Sequence, residues 1–368
     1  MQEKDRTTAL KYFADYYQTA SFDIPYVEKR EFGIGNWKKI DSRHLGFANE
    51  PDFRAYLVKN TPFFVSHSTA YYKYPDATPI DKKNWEKADL VFDLDFHSEG
   101  KYDVYSKLGQ VKHDAIRLAE EFLISDFGIS KKNIHYVFSG NRGYHIHVVE
   151  DDFATIGSDE RREIADYIMG RGLDHIKFFD VKELRPKVFK IESGPRADES
   201  GYRGRFARAV IEMLQNKPSD ISRTFSKEEV KNRFIEGIRE GNWNKQPYKP
   251  NDLFERLRPI AERLALRSVD TDAGVTHDIK KLIRVPNSIH GDTGLIAKRV
   301  TVGDIEKFEP LHDAILPLKG TLKIKFTEDV PEISIHNETH GPFKKETENE
   351  LPEAVGLFFV LRGSAIQV

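Results

Sequence analysis

ADLVFDLDF, Ala88 to Phe96, is an apolar run whose only polar members are acids. It reads as a buried β-strand. Successive side chains on a strand point to opposite faces, so Asp93 and Asp95 share a face, roughly 7 Å apart along the chain. Two carboxylates among Val91, Phe92, Leu94 and Phe96 are costly to bury without a cation. A hard divalent ion relieves that repulsion and can also hold a phosphate. The competing reading is a strand end whose aspartates pair with Lys or Arg or face solvent.

Downstream, SGNRGYHIHV (Ser139 to Val148) follows the apolar IHYVF, so strand, tight turn and strand are predicted. The turn presents Ser139 and Arg142, and the second strand shows His145 and His147 on one face. A hydroxyl, a guanidinium, an imidazole and exposed backbone N–H groups all suit phosphate oxygens. A transition-metal site on His145 and His147, or a structural hairpin, would use the same residues. A third stretch, VDTDAGVTHDIKKLIRVPNSIHGDTG (Val269 to Gly294), adds Asp270, Asp272 and Asp278, then Lys280, Lys281, Arg284 and His290. Acids beside cations suit a metal–triphosphate site, and equally a solvated charged loop before a hairpin. A fourth, residues 182–208, interleaves eight Lys or Arg with Phe189, Tyr202 and Phe206, which fits either nucleic acid or a charged exterior.

Around these motifs the pattern is mixed. Helices are predicted over 3–19, over 111–127 with Gly128 as its stop, and from Asp159 to about Met169. Residues 204–266 are helical and charged, with a Ser226/Glu229 capping box and a run from Asp252 interrupted at Pro259. Strands return after Leu282, with HGDTG (His290 to Gly294) as a turn. Asn337 to Glu350 reads as a polar loop before a terminal helix in LPEAVGLFFVLRG.

The chain has 368 residues, room for two or three domain-sized units. Its 57 Lys and Arg nearly balance 59 Asp and Glu, so a polybasic tail is excluded while a local basic groove is not. With no cysteine, disulfides, cysteine-ligated iron–sulfur clusters and thiolate zinc sites are excluded. The polar start lacks a signal-peptide core, and Val355 to Leu361 is far short of the roughly 20 apolar residues of a membrane span. An intracellular protein without membrane association is expected.

The order of the motifs resembles the small catalytic subunit of archaeal and eukaryotic DNA primases. REFGIGNW (Arg30 to Trp37), VFDLDFH, SGNRGYHIHV, VTHDIKKLIRVPNSIHGDTG and LPEAVGLFFVLRG carry the resemblance. It implies an α+β fold: a mixed α/β primase-type catalytic core over 1–203 and 267–368, with a small helical insertion over 204–266. It implies primer synthesis by two-metal nucleotidyl transfer, with Asp93, Asp95 and Asp272 holding Mg²⁺ or Mn²⁺, Asp270 being the alternative third acid. Ser139, Arg142, His145, Arg284 and His290 match the nucleotide-binding residues; His147 is given no direct role. The implied partners are a single-stranded DNA template, nucleoside triphosphates and a primase large subunit. Ser98 to Val111 has no cysteine where the family carries a zinc knuckle, so structural zinc is predicted absent. Alternatives are a primase-polymerase that extends or repairs DNA ends, a catalytically silent nucleic-acid-binding subunit, or a His-x-His metallohydrolase.

Overall fold

The computed structural model describes residues 2–186, 188–266, 269 and 271–368. The expected boundary at 267 and the alternative acid Asp270 lie outside them. The chain forms two compact units: Met1–Ile116, Ser130–Arg162 and Thr271–Val368 make the first, and Arg117–Ile129 with Glu163–Asp270 the second.

The first unit is built on two four-stranded sheets. One runs in the order Arg299–Val300, Ile134–Phe138, Gly143–Val148, Leu90–Asp95; the other runs Leu282–Arg284, Phe64–Ser68, Phe32–Gly35, Ser42–Leu45. Every strand pairing in both is antiparallel, which with the separate helices makes the fold α+β, as the sequence implies. The Glu3–Thr19 helix buries Ala9, Phe13 and Tyr17, which share a core with Phe32, Phe53, Val65 and Ile289.

Arg30 ties the ends of strands from both sheets. Its guanidinium is buried and gives Nη1 hydrogen bonds of 2.9 Å to the carbonyls of Ser68 and Thr69. Nη2 meets the Asp89 carboxylate at 2.6 Å, and the Tyr71 hydroxyl donates to the other Asp89 oxygen at 2.7 Å. Arg161 adds bonds of 2.8 Å to the carbonyls of Asp89 and Ala88. Asp89 immediately precedes the strand that carries Asp93 and Asp95, so this network sets where that strand begins.

One local expectation for this unit changes. The polar stretch after Asn337 contains strand Glu338–His340, which pairs with Ile333–Ile335, and strand Glu348–Pro352, which pairs with Thr321–Phe326. His336 and Asn337 have φ of 57° and 63°, the positive values a two-residue hairpin turn needs. The cysteine-free segment Ser98 to Val111 carries a short turn of helix, Asp103–Ser106. Its Tyr102 and Tyr105 rings pack on Phe358 and Phe359 of the terminal helix Glu353–Leu361.

The second unit packs helices Gly201–Asn216, Glu228–Arg239 and Pro250–Leu266 around Phe206, Val210, Phe234, Ile238, Trp243 and Leu257. A hairpin, Asp180–Arg185 with Val188–Ser193, gives Ile191 to the same core. Pro259 does not interrupt its helix. The lost backbone bond costs about 3 kcal/mol, and burial of Leu253, Leu257, Ile260 and Ala261 offsets it. Nor does Ser226 cap a helix: Lys227 holds the N-cap position without a side-chain bond, and Ser222 caps the preceding turn through the Thr224 N–H at 3.2 Å.

Truncating Arg30 leaves the Asp89 carboxylate buried against its carbonyl neighbours. Arg30→Ala is expected to cost roughly 3–5 kcal/mol in urea unfolding, and Arg30→Lys to recover only part, because a point charge cannot serve acceptors on three sides.

Candidate active site

Asp93 and Asp95 project from the Leu90–Asp95 strand, whose neighbour Gly143–Val148 runs antiparallel with Asp93 opposite His145 and Asp95 opposite Gly143. The absence of a side chain at Gly143 is required: a Cβ there would lie 1.8 Å from the Leu94 carbonyl and 2.5 Å from the Asp95 carboxylate. Asp272 reaches the same strand by a different route. Its backbone N–H donates to the Asp93 carbonyl at 2.9 Å, and Val275 and Ile283 pack on Val91. One Asp272 oxygen accepts from the Gly274 N–H at 2.8 Å, capping the short helix Ala273–His277.

The three acids feel one another. Burial, then the charges of Asp95 and Asp272, push the Asp93 carboxyl up to about 7. Its Oδ1 is buried without a hydrogen-bond partner, 3.6 Å from His145 Nε2. Burial lowers His145 to about 4, so at neutral pH that contact joins a carboxyl to an uncharged imidazole and is no ion pair. Asp95 is engaged by Arg142 Nη2 at 3.0 Å.

The turn between the strands is preformed. The Ser139 hydroxyl accepts from the Gly143 N–H at 3.1 Å, which leaves its own proton to give. Gly140 has φ of 82°, and a Cβ on it would sit 2.8 Å from the His290 Cβ, so only glycine lets the two loops approach. Thr293 joins them by donating to the Gly140 carbonyl at 2.6 Å. Within the His290 loop, the Asp292 N–H donates to His290 Nδ1 at 3.2 Å, which places the imidazole proton on Nε2. Burial and then the nearby charge of Arg284 hold His290 well below its ordinary value, so it is a neutral donor. Arg284 sits over the Phe64 ring at 5.5 Å with Nη1 buried and unpartnered. Burial lowers it to about 10, which leaves it charged at pH 7.

The structure therefore gathers Asp93, Asp95, Asp272, Ser139, Arg142, His145, Arg284 and His290 in one region of the first unit. Lys281, from the expected basic cluster, also acts on Asp93, whereas Lys280 turns away to Asp81 at 3.1 Å. The His147 ring lies near both His145 and His67, with centroids 6.2 and 6.3 Å away. Two cations escape sequence reasoning: Lys39 acts on both Asp93 and His290, and Arg362 on His290. Arg362 has a buried, unpartnered Nε, but nothing in a C-terminal LRG signals that it belongs to a site.

Among the described residues no group of three or more His, Cys, Asp or Glu side chains is gathered as a ready metal cage. The acids nonetheless suit a hard divalent ion in chemistry: all are oxygen donors, and the orphaned Asp93 Oδ1 carries a proton affinity that a cation would compete away.

Comparison with known proteins identifies the class. The family model described as DNA primase small subunit matches residues 92–302, which contain every acid and cation of the site except Lys39 and Arg362. The chain is 32% identical to the DNA primase small subunit of Methanococcoides burtonii over 96% of each chain. It is also 32% identical to that of Methanothrix thermoacetophila, over 99% of each, and to that of Thermoplasma volcanium, over 96% of this chain and 95% of the other. The chain belongs to the DNA primase small subunit family, in its archaeal type.

A carboxyl raised in the folded chain binds its proton more tightly there than in the unfolded chain. The stability Asp93 contributes is thus full below about pH 3.8 and is lost as pH rises to about 7. With a chelator present, Asp93→Asn is expected to gain on the wild type across that window, by on the order of 1–2 kcal/mol near pH 8. Thermal unfolding with and without Mn²⁺ checks this, and added Mn²⁺ should stabilise only the wild type.

Proposed function

We infer that this chain is the catalytic subunit of a primase, making short primers on single-stranded DNA from nucleoside triphosphates. The observation that carries the reading is the unpartnered Asp93 carboxylate oxygen beside Asp95 and Asp272, in the same region as the buried, unpartnered guanidinium nitrogen of Arg284, which acts on Asp95. Oxygen donors for a cation and free donors for an anion within one region are what a metal–triphosphate demands.

Asp93, Asp95 and Asp272 would hold two Mg²⁺ or Mn²⁺ ions, which lower the pKa of an attacking 3′-hydroxyl and offset charge on the leaving pyrophosphate. The remaining groups position the triphosphate. Arg142 and Arg284 supply positive charge, and the Ser139 hydroxyl and His290 Nε2–H donate hydrogen bonds. Because His145 and His290 are neutral at pH 7, they add directional polarity without competing with a metal ion for the acids. Preformed loops mean that little reorganisation is needed when charge moves from the α-phosphate to pyrophosphate.

The family assignment supports a heterodimer with a primase large subunit, and an intracellular place in DNA replication. No helix among the described residues is long and apolar enough to cross a membrane.

The test is synthesis on a single-stranded template with labelled nucleotides, Mn²⁺ or Mg²⁺ and no primer, alone and with the large subunit. Short products are expected from the wild type, and Asp95→Asn should reduce them to background while far-UV circular dichroism is unchanged. Product only when a primer is supplied would replace primer synthesis by end extension; near-normal activity of Asp95→Asn would overturn the metal assignment.

A further inference from the structure

Trp37 stands in a loop that no step of the proposed reaction uses. It closes the REFGIGNW stretch and is 79% exposed, the most exposed of the large apolar side chains among the described residues. Solvated as it is, its position is fixed. The Asp41 carboxylate accepts from the backbone N–H groups of Asn36 at 2.7 Å and Trp37 at 2.8 Å, and these bonds hold that carboxyl below its ordinary value. Gly35 lets the loop fold tightly, since a Cβ there would lie 2.0 Å from the Lys38 carbonyl. The Arg6 guanidinium covers one face of the indole at 4.0 Å and donates to the Asn36 carbonyl at 3.3 Å.

The other side of Arg6 lies over Phe63, 4.7 Å from the ring centroid. Phe63 in turn packs on Gly291, where a Cβ would meet the Phe63 backbone carbonyl and Cβ at 2.7 Å. Gly291 follows His290. A continuous stack of Trp37, Arg6 and Phe63 therefore runs from the loop to the wall of the candidate site, and Lys39 on the same loop acts electrostatically on both Asp93 and His290. Lys38 is exposed beside them.

A rigid indole with one face on a cation and the other open to solvent is a stacking surface, and adjacent lysines attract phosphate. Every nucleobase has a π-face, so such a platform takes single strands without regard to sequence. An apolar protein partner would bury the indole as well, but exposed Lys38 and Lys39 at its centre fit a polyanion better than an apolar surface. We propose that Trp37, backed by Arg6 and flanked by Lys38 and Lys39, stacks on an unpaired base of the nucleic acid strand at the edge of the active site. The inference rests on the primase reading of that site for its direction, yet its test does not require turnover.

The full chain is titrated with a short oligodeoxythymidylate while tryptophan emission is followed, and a fluorescein-labelled copy reports binding by anisotropy. Trp243 is fully buried and Trp85 half-buried, so stacking on Trp37 should dominate any quenching. Binding is expected to quench the wild type, and Trp37→Phe to bind within about twofold with the quenching gone. Trp37→Ala should bind about tenfold more weakly. Lys38→Ala/Lys39→Ala should flatten the salt dependence. Duplex DNA, whose bases are already stacked, should not quench. Because Trp37 is solvent-exposed, these variants should unfold at the wild-type temperature. Oligonucleotide binding without quenching, unchanged in Trp37→Ala, would overturn the platform and leave the primase reading standing. Quenching with no binding of ATP in Mn²⁺ would keep the platform and count against that reading, and no oligonucleotide binding at all would overturn the platform.

Discussion

A buried guanidinium fixes the frame on which the candidate site is hung. Arg30 joins the carbonyls that end the Phe64–Ser68 strand to the carboxylate that precedes the Leu90–Asp95 strand. The two strands belong to different sheets. One sheet supplies Phe64 and Arg284, the other Asp93, Asp95 and His145, so this joint, together with the packing of Ile283 on Val91, helps set the spacing between acids and cations. Buried ion pairs add little net stability unless fully satisfied. This one is, with Tyr71 and Arg161 completing the bonds around Asp89 and its backbone. Its role is to fix position.

Within that frame the site balances unlike charges without cancelling them. Asp95 has Arg142, and Asp272 spends an oxygen on its own helix cap, but Asp93 keeps an oxygen free and Arg284 keeps a nitrogen free. Both would be costly in an ordinary core, where buried polar groups are paired. The histidines ease the electrostatics by staying neutral: burial drives His145, His147 and His290 down, so they add no positive charge beside the arginines. Leaving a carboxylate oxygen and guanidinium nitrogens of Arg284 and Arg362 unpartnered within a region of preformed loops marks it as a place built to receive something charged of both signs.

Much of this was legible in the chain. Alternation in VFDLDF put both aspartates on one face, and glycines flanking the Asn-Arg turn in SGNRG announced a hairpin; the structure has both. The helix over 3–19 follows from apolar periodicity, and the terminal helix expected in LPEAVGLFFVLRG is there as Glu353–Leu361. The failures were local rules overridden by burial or by hydrogen bonds of longer range. Pro259 stays inside a helix because its neighbours are core residues, and Ser226 loses its cap to a turn closed by Ser222. The polar stretch after Asn337 forms strands because Ile333–Ile335 and Thr321–Phe326 offer edges to pair with, which no hydrophobic pattern of its own would reveal.

The sequence by itself determined which residue types could do the chemistry and which strand faces they occupy, because side-chain alternation is a property of the local backbone. It also ruled out cysteine ligation by composition alone. Only the tertiary structure decided that Lys39 and Arg362, from opposite ends of the chain, act on His290, and that Asp272 docks by its backbone on Asp93. It alone placed Arg6 between Phe63 and Trp37. Charge–charge and stacking interactions act through space over a few ångströms, and sequence separation carries no information about which distant residues folding will bring within that range.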